Sequence, residues 1–288
     1  IERLGVIDIG SNSVRMVVFD GAARSPAYFY NEKVICSLGS DLSSDNELNV
    51  LNKNKALATL KRFVLLSKAM GVTLIAVATA AVRNSKDGVA FCQKILQETG
   101  LNVTILNGEE EANLSAQGVL LGWPSADGLV CDLGGASLEL AEISEGTVGK
   151  TISCPIGPLY LNQFYPKQKL QRDFINSELR KSRKIFSKKY TNIYLVGGSW
   201  RSIARTQMEI TDYPLKVLHE YQMRIAEIKA TLNWIMGASL SDLQARSASS
   251  SSRLRLLPSS AVILNELIDC FHPKKLALSS YGIREGLL

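Results

Sequence analysis

Residues 130–139 read Val-Cys-Asp-Leu-Gly-Gly-Ala-Ser-Leu-Glu. Apolar residues on either side of Gly134-Gly135-Ala136 describe a strand that carries Asp132 out to a small-residue turn and a second strand that ends on Glu139. With almost no side-chain bulk at the bend, backbone N–H groups can approach a bound anion and the chain can take positive φ. Asp132 and Glu139 flank the turn with hard oxygen ligands of the kind that hold Mg²⁺ directly or through water. The stretch reads as a phosphate and metal site, although the same residues suit an ordinary hairpin with a glycine turn and two solvated acids.

A second copy stands near the start of the chain. Residues 4–9 form an apolar strand bearing Asp8, the turn Gly10-Ser11-Asn12-Ser13 follows, and residues 14–20 form another strand. Asp8 and Asp132, Gly10 and Gly134, and Ser13 and Ser137 are each separated by 124 positions. The chain is therefore internally duplicated. Two such hairpins, one near the start of each half, would let two lobes clamp the ends of a phosphate chain between them.

Between the copies, strand and helix patterns alternate, the mark of an α/β lobe. A strand is expected over 27–36, a polar loop over 40–49, a helix over 54–70 closed by Gly71, a strand over 73–78, a helix over 86–99 closed by Gly100, a strand over 103–106 and a helix over 108–121. Proline, glycine and small polar residues at 123–128 mark the lobe boundary, giving lobes 1–125 and 126–288. The second lobe continues with a strand over 149–154, a basic helical region, a strand over 192–196 feeding the turn Gly197-Gly198-Ser199, a helix over 219–236, and a serine-rich, mobile loop over 247–252. A helix over 258–270, a strand over 275–278 and a last helix near 281–288, packing back on the first lobe, complete the pattern.

Composition narrows the chemistry. At 288 residues and 46% hydrophobic content the chain can build two sizeable cores. Nothing approaches the roughly 20 apolar residues of a membrane span, and the N-terminus lacks a signal-peptide layout, so a cytoplasmic protein is expected. The five cysteines are scattered and sit in apolar patterns, as reduced core residues do. With only two histidines and no nucleophile motif, proton transfer falls to a carboxylate. The net charge of +6 is concentrated in residues 167–189, where nine Lys or Arg face two acids. That segment reads as a solvated face or as a track for a polyanion.

Glu109, Glu110 and Glu111 open a helix, where acids meet exposed N–H groups, and any of the three could face a cleft. Arg83 follows a strand and could donate two hydrogen bonds to a phosphate or join a surface ion pair. A P-loop is excluded because Ser11 and Asn12 stand where Lys and Ser or Thr are required. Taken together, VIDIGSNSVRMVV, ATAAVRNS, NGEEEANL, VCDLGGASLEL, LVGGSWRSIAR and LSSYGIREGLL resemble, in order and spacing, the exopolyphosphatase and guanosine pentaphosphate phosphohydrolase (Ppx/GppA) family of the actin-like phosphotransferase superfamily.

The resemblance implies an α/β fold of two ribonuclease-H-like lobes (the actin-like ATPase, sugar kinase and Hsp70 fold) with an interlobe cleft, in which water removes a terminal phosphate. By motif position it implies Glu111 as the catalytic glutamate, Asp132 and Glu139 with Asp8 as metal ligands, and Arg83 as a phosphate contact. It implies Gly10, Ser11, Asn12, Ser13, Gly134, Gly135, Ala136 and Ser137 as phosphate loops, with Gly197, Gly198 and Ser199 as a late turn facing the cleft. Mg²⁺ or another divalent cation is the expected cofactor, and inorganic polyphosphate the expected substrate, with guanosine pentaphosphate as the alternative. A kinase of the same superfamily and a non-catalytic sensor are the rivals from other classes. Neither a nucleic-acid polymer nor a membrane is expected as partner, and a homodimer is the assembly considered. Ala136 and Leu138 replace the family's usual glycine and threonine, and are expected to tighten the second loop and remove a hydroxyl near the metal. Longer members continue past the Arg284-Glu285-Gly286 motif into a helical domain, so a chain native in this length is expected to build a shorter polyphosphate channel.

Overall fold

Two mixed sheets carry the duplication, each an antiparallel meander continued by parallel strands. The computed structural model describes residues 3–21, 26–40, 45–246 and 251–288, without the side chains of 251 and 252. The first half holds β1 (Leu4–Ile9), β2 (Ser13–Phe19), β3 (Tyr28–Ile35), α1 (Val50–Met70), β4 (Thr73–Ala78), α2 (Ala80–Asn84), α3 (Gly88–Thr99), β5 (Val103–Ile105) and α4 (Gly108–Gly122). The second holds β6 (Gly128–Leu133), β7 (Leu138–Ser144), β8 (Thr147–Cys154), α5 (Pro158–Phe164), α6 (Gln168–Ile185), β9 (Asn192–Val196) and α7 (Gly198–Ile210). It ends with β10 (Gln222–Arg224), α8 (Ile225–Gly237), α9 (Leu240–Arg246), α10 (Ser251–Leu254), α11 (Leu257–Phe271), β11 (Lys275–Ser279) and α12 (Ile283–Gly286).

The strand orders are β3-β2-β1-β4-β5 and β10-β11-β9-β6-β7-β8. Reversed and without β10, the second repeats the first strand for strand. The repeat extends to single bonds: Gly10 N–H donates to Ser13 O at 3.0 Å, and Gly134 N–H donates to Ser137 O at 3.0 Å.

Each lobe has its own core. Ile7, Ile9, Met16, Leu60 and Phe63 lie in the first, and Leu129, Leu140, Phe186, Leu195 and Trp200 in the larger second. Helix α4 precedes the boundary expected at 125, yet Ala112, Ala116 and Val119 bury against Val130, Ala141 and Val196 of the second sheet. Leu287 and Leu288, at the other end of the chain, bury against Val6, Val17 and Phe19 of the first sheet. Between them α4 and α12 cross almost backbone to backbone: a Cβ on Gly118 would stand 2.2 Å from Gly282 O, and one on Gly286 would stand 2.0 Å from Leu114 O.

Several local expectations shift. Helix α1 begins at Val50, four residues before the expected start, because Asn49 Oδ1 caps it by accepting from Leu51 N and Asn52 N. The helix expected over 219–236 begins only at Ile225. Residues 222–224 instead form an antiparallel edge strand on β11, with Met223 inward and Gln222 and Arg224 outward, a period of two rather than 3.6. The last helix is the single turn α12. The loops expected at 40–49 and 247–252 fall partly outside the described residues, at 41–44 and 247–250. All five cysteines are free thiols. No described helix is long and apolar enough to cross a membrane.

Candidate active site

The duplicated hairpins face one another across a cleft. The turn from β1 into β2 supplies Gly10, Ser11, Asn12 and Ser13, while β6 and the turn before β7 supply Asp132, Gly134, Gly135 and Ser137. Gly197, Gly198 and Ser199, where β9 turns into α7, complete the lining on the second lobe. Among the described residues no side chain caps α7, so its first N–H groups and its dipole stand ready for an anion. Gly197 makes that turn possible: its φ is +123°, and a Cβ there would lie 2.6 Å from Leu133 O.

Cross-strand register gives the two jaws opposite character. In the first lobe Asp8 pairs with Arg15, which pairs with Lys33. In the second, Asp132 pairs with Glu139, which pairs with Ser153. Arg15 and Glu139 are thus duplicated positions, 124 residues apart, one turned into a cation and the other into an acid.

Glu111 lines the cleft from the first turn of α4 and is 4% exposed. Arg83, from α2, donates through Nη1 to Glu111 Oε2 at 2.7 Å and to Leu106 O at 2.9 Å. Its Nη2 lies 3.9 Å from Glu139 Oε1. Burial pushes the Glu111 carboxyl up to about 7, and Arg83 limits the rise. Burial also raises Asp132, whose Oδ2 accepts a bond from Ser115 Oγ. Glu139 is pushed well above the usual carboxylate range by burial and by the Glu111 charge. Ser153 Oγ donates to Glu139 Oε1 at 2.8 Å, while Glu139 Oε2 is buried without a partner among the described residues.

Among the described residues five cations line the same cleft: Arg15, Lys33, Arg201, Arg253 and Arg284. Burial, with Arg253, Arg201 and Arg15 nearby, brings the Lys33 ammonium down to about 7. Burial likewise lowers Arg15 and Arg201 to about 10, helped by the Arg284 charge. Arg284 donates through Nη1 to Asp8 Oδ2 at 3.1 Å, and its buried Nε has no partner among the described residues. Positive groups crowded and desolvated to this extent form a site that a multiply charged anion stabilises.

A model of the Ppx/GppA phosphatase family matches residues 17–288. The chain belongs to this family. Among its curated relatives, exopolyphosphatase 1 of Mycobacterium tuberculosis is 30% identical over 159 residues, 54% of this chain and 46% of the relative. Exopolyphosphatase 1 of Mycobacterium leprae is 28% identical over 189 residues, 62% of this chain and 56% of the relative. These matches thus span about half the length of those relatives. In overall fold this family member is similar to an exopolyphosphatase from Cytophaga hutchinsonii (TM-score 0.90, 21% identity, 99% of this chain and 96% of the other). It is also similar to the Aquifex aeolicus PPX-GPPA enzyme (TM-score 0.82, 24% identity, 99% and 98%).

Of the residues singled out in the sequence, Arg83, Glu109, Glu110, Ala136, Leu138 and Glu139 do not line the cleft. Arg83 stands behind Glu111 and holds it, and so acts on the cleft through that carboxylate. Leu138 is fully buried in the second core. Strand alternation turns Ser137 and Glu139 to one face and Leu138 and Leu140 to the other, so the leucine takes no hydroxyl from the cleft. None of residues 167–189 lines the cleft either. The cationic wall comes instead from five residues outside that segment. Arg15 was discoverable as the twin of Glu139, and Arg201 and Arg284 lie within family motifs. Lys33 and Arg253 carry no periodic signal that marks them.

Proposed function

We propose that this chain hydrolyses the terminal phosphoanhydride bond of inorganic polyphosphate. One observation carries the reading: a buried carboxylate, Glu111, stands in a cleft whose lining holds five cations against the three acids Asp8, Glu111 and Asp132. The cationic wall and the uncapped start of α7 would bind successive phosphates, and the turns at Gly10 and Gly134 would seat the terminal one. Glu111 then takes a proton from water as the water oxygen bonds to the terminal phosphorus. The bond from that phosphorus to the bridging oxygen breaks, and the shortened chain keeps the electron pair, its charge spread over the arginines.

The acids suit a divalent cation held in part by the substrate. Among the described residues no three His, Cys, Asp or Glu side chains converge to hold a metal by themselves. Mg²⁺ is usually bound through one or two carboxylates plus phosphate oxygens and water. Asp132 in the cleft wall and the unpartnered Glu139 Oε2 behind it supply that number, whereas Asp8 is engaged by Arg284. Such an ion would neutralise phosphate charge and position the terminal group.

The test compares turnover of long polyphosphate with that of guanosine pentaphosphate, with Mg²⁺ added and removed, for the wild type and for Glu111→Gln. The expected result is orthophosphate release from polyphosphate, lost in Glu111→Gln while polyphosphate binding survives. Near-wild-type turnover by that variant would remove Glu111 from the role of base. Faster release from the nucleotide would move the assignment to the 5′-phosphohydrolase reaction.

A further inference from the structure

One residue, Ser137, is common to the walls of the cleft and of a second space, a solvent-open depression. Arg83, Asn84, Ser153 and Pro155 are among the residues around that depression. The partition includes Ser137 and the Glu111–Arg83 pair, with Glu139 beside Arg83, all polar. Two of its buried oxygens, Ser137 Oγ and Glu139 Oε2, have no partner among the described residues. Buried polar atoms of this kind are those that water or a small polar solute reaches.

The proposed reaction creates a traffic problem at this point. A chain held by several cations stays in the cleft after cleavage, and the orthophosphate just released lies between Glu111 and the remaining chain. Its way out through the cleft is blocked by that chain. We propose that orthophosphate leaves through the depression behind Ser137, with the Arg83–Glu111 pair as the gate that parts to let it pass. The guanidinium borders the depression and its partner carboxylate borders the cleft, so one movement of Arg83 joins the two spaces. This rests on the polyphosphate reading above.

Two measurements test it. Orthophosphate added to the wild type should inhibit polyphosphate hydrolysis non-competitively, because it reaches the reaction centre while the chain fills the cleft; purely competitive inhibition would overturn the outlet. Asn84→Trp, a bulky substitution at an exposed rim position, should leave single-turnover cleavage unchanged. It should lower steady-state turnover several-fold and produce a burst of one equivalent of orthophosphate, as expected when product release limits the rate. Pro155→Trp, on the other side of the depression, should act alike, and melting temperatures equal to wild type establish that both fold. Unchanged steady-state rates in both folded variants would also overturn the outlet. A wild type that releases no orthophosphate from polyphosphate would instead overturn the reaction itself, and the outlet with it.

Discussion

Glu111 is held between opposed forces. Burial brings its carboxyl up to about 7, and the Arg83 guanidinium at 2.7 Å works the other way. A base must be unprotonated, so turnover is expected to rise with pH through about 7 and then level off. Arg83→Gln keeps a donor but removes the charge. The midpoint of the pH–rate profile should then move up by a unit or so, cutting turnover at neutral pH roughly fivefold and restoring much of it at higher pH. A midpoint that stays in place would show that Arg83 does not tune Glu111. The same shift bears on stability. The folded chain keeps a proton on Glu111 that the unfolded chain has already released, so stability falls as pH rises from the usual carboxylate range to about 7 and stays lower above it. Glu111→Gln should therefore stabilise the protein at pH 8 by on the order of 1–3 kcal/mol while abolishing turnover. Thermal unfolding from pH 5 to 8 reads this as a flatter dependence in the variant, and equal slopes would refute it.

The two hairpins are the elements most legible in the sequence, because a strand, a small-residue turn and a strand leave a local pattern and the 124-residue repeat doubles it. The register that makes one jaw cationic and the other acidic is set by the same turns, each closed by one Gly-to-Ser backbone bond. What local pattern did not disclose is that α4 packs on the second sheet and how closely α12 crosses it. Their crossing depends on Gly118, where any Cβ meets Gly282 O at 2.2 Å. Gly118→Ala should push α12 away and carry Arg284 off Asp8, at a cost of about 1–3 kcal/mol in stability and with weaker polyphosphate binding. Gly71→Ala gives the contrast. That glycine has φ +63° but no neighbour within 4 Å of an added Cβ, so it should cost only about 1–2 kcal/mol and leave KM unchanged. Denaturant unfolding and KM measured on both variants check the pair, and an unchanged KM in Gly118→Ala would mean that the crossing does not position Arg284.

At the scale of the molecule, the last residues cross from the second lobe to the first. Arg284 reaches Asp8 in the first sheet, and Tyr28 Oη donates to Glu285 Oε1 at 2.9 Å, so the last residues couple the two jaws. The cation wall is likewise assembled from both halves, with Arg15 and Lys33 from one and Arg201, Arg253 and Arg284 from the other. Arg201→Met with Arg253→Met should raise KM for polyphosphate by more than about tenfold, with a shallower dependence on ionic strength. Lys169→Gln with Lys184→Gln on α6, outside the cleft lining, should change neither, and a KM that rises with the α6 pair would return the polyanion track to that helix. The sequence by itself determined the duplication, the two α/β lobes, the paired turns and the acids beside them, since these depend on local periodicity and on spacing along the chain. Only the tertiary structure decided which charges meet. The nine basic residues of 167–189 are conspicuous because they are neighbours in sequence, whereas the cations that line the cleft are far apart in sequence and come together only when two sheets close on one another. The same closure desolvates Glu111, and burial beside Arg83 is what gives that carboxylate a basicity suited to neutral pH.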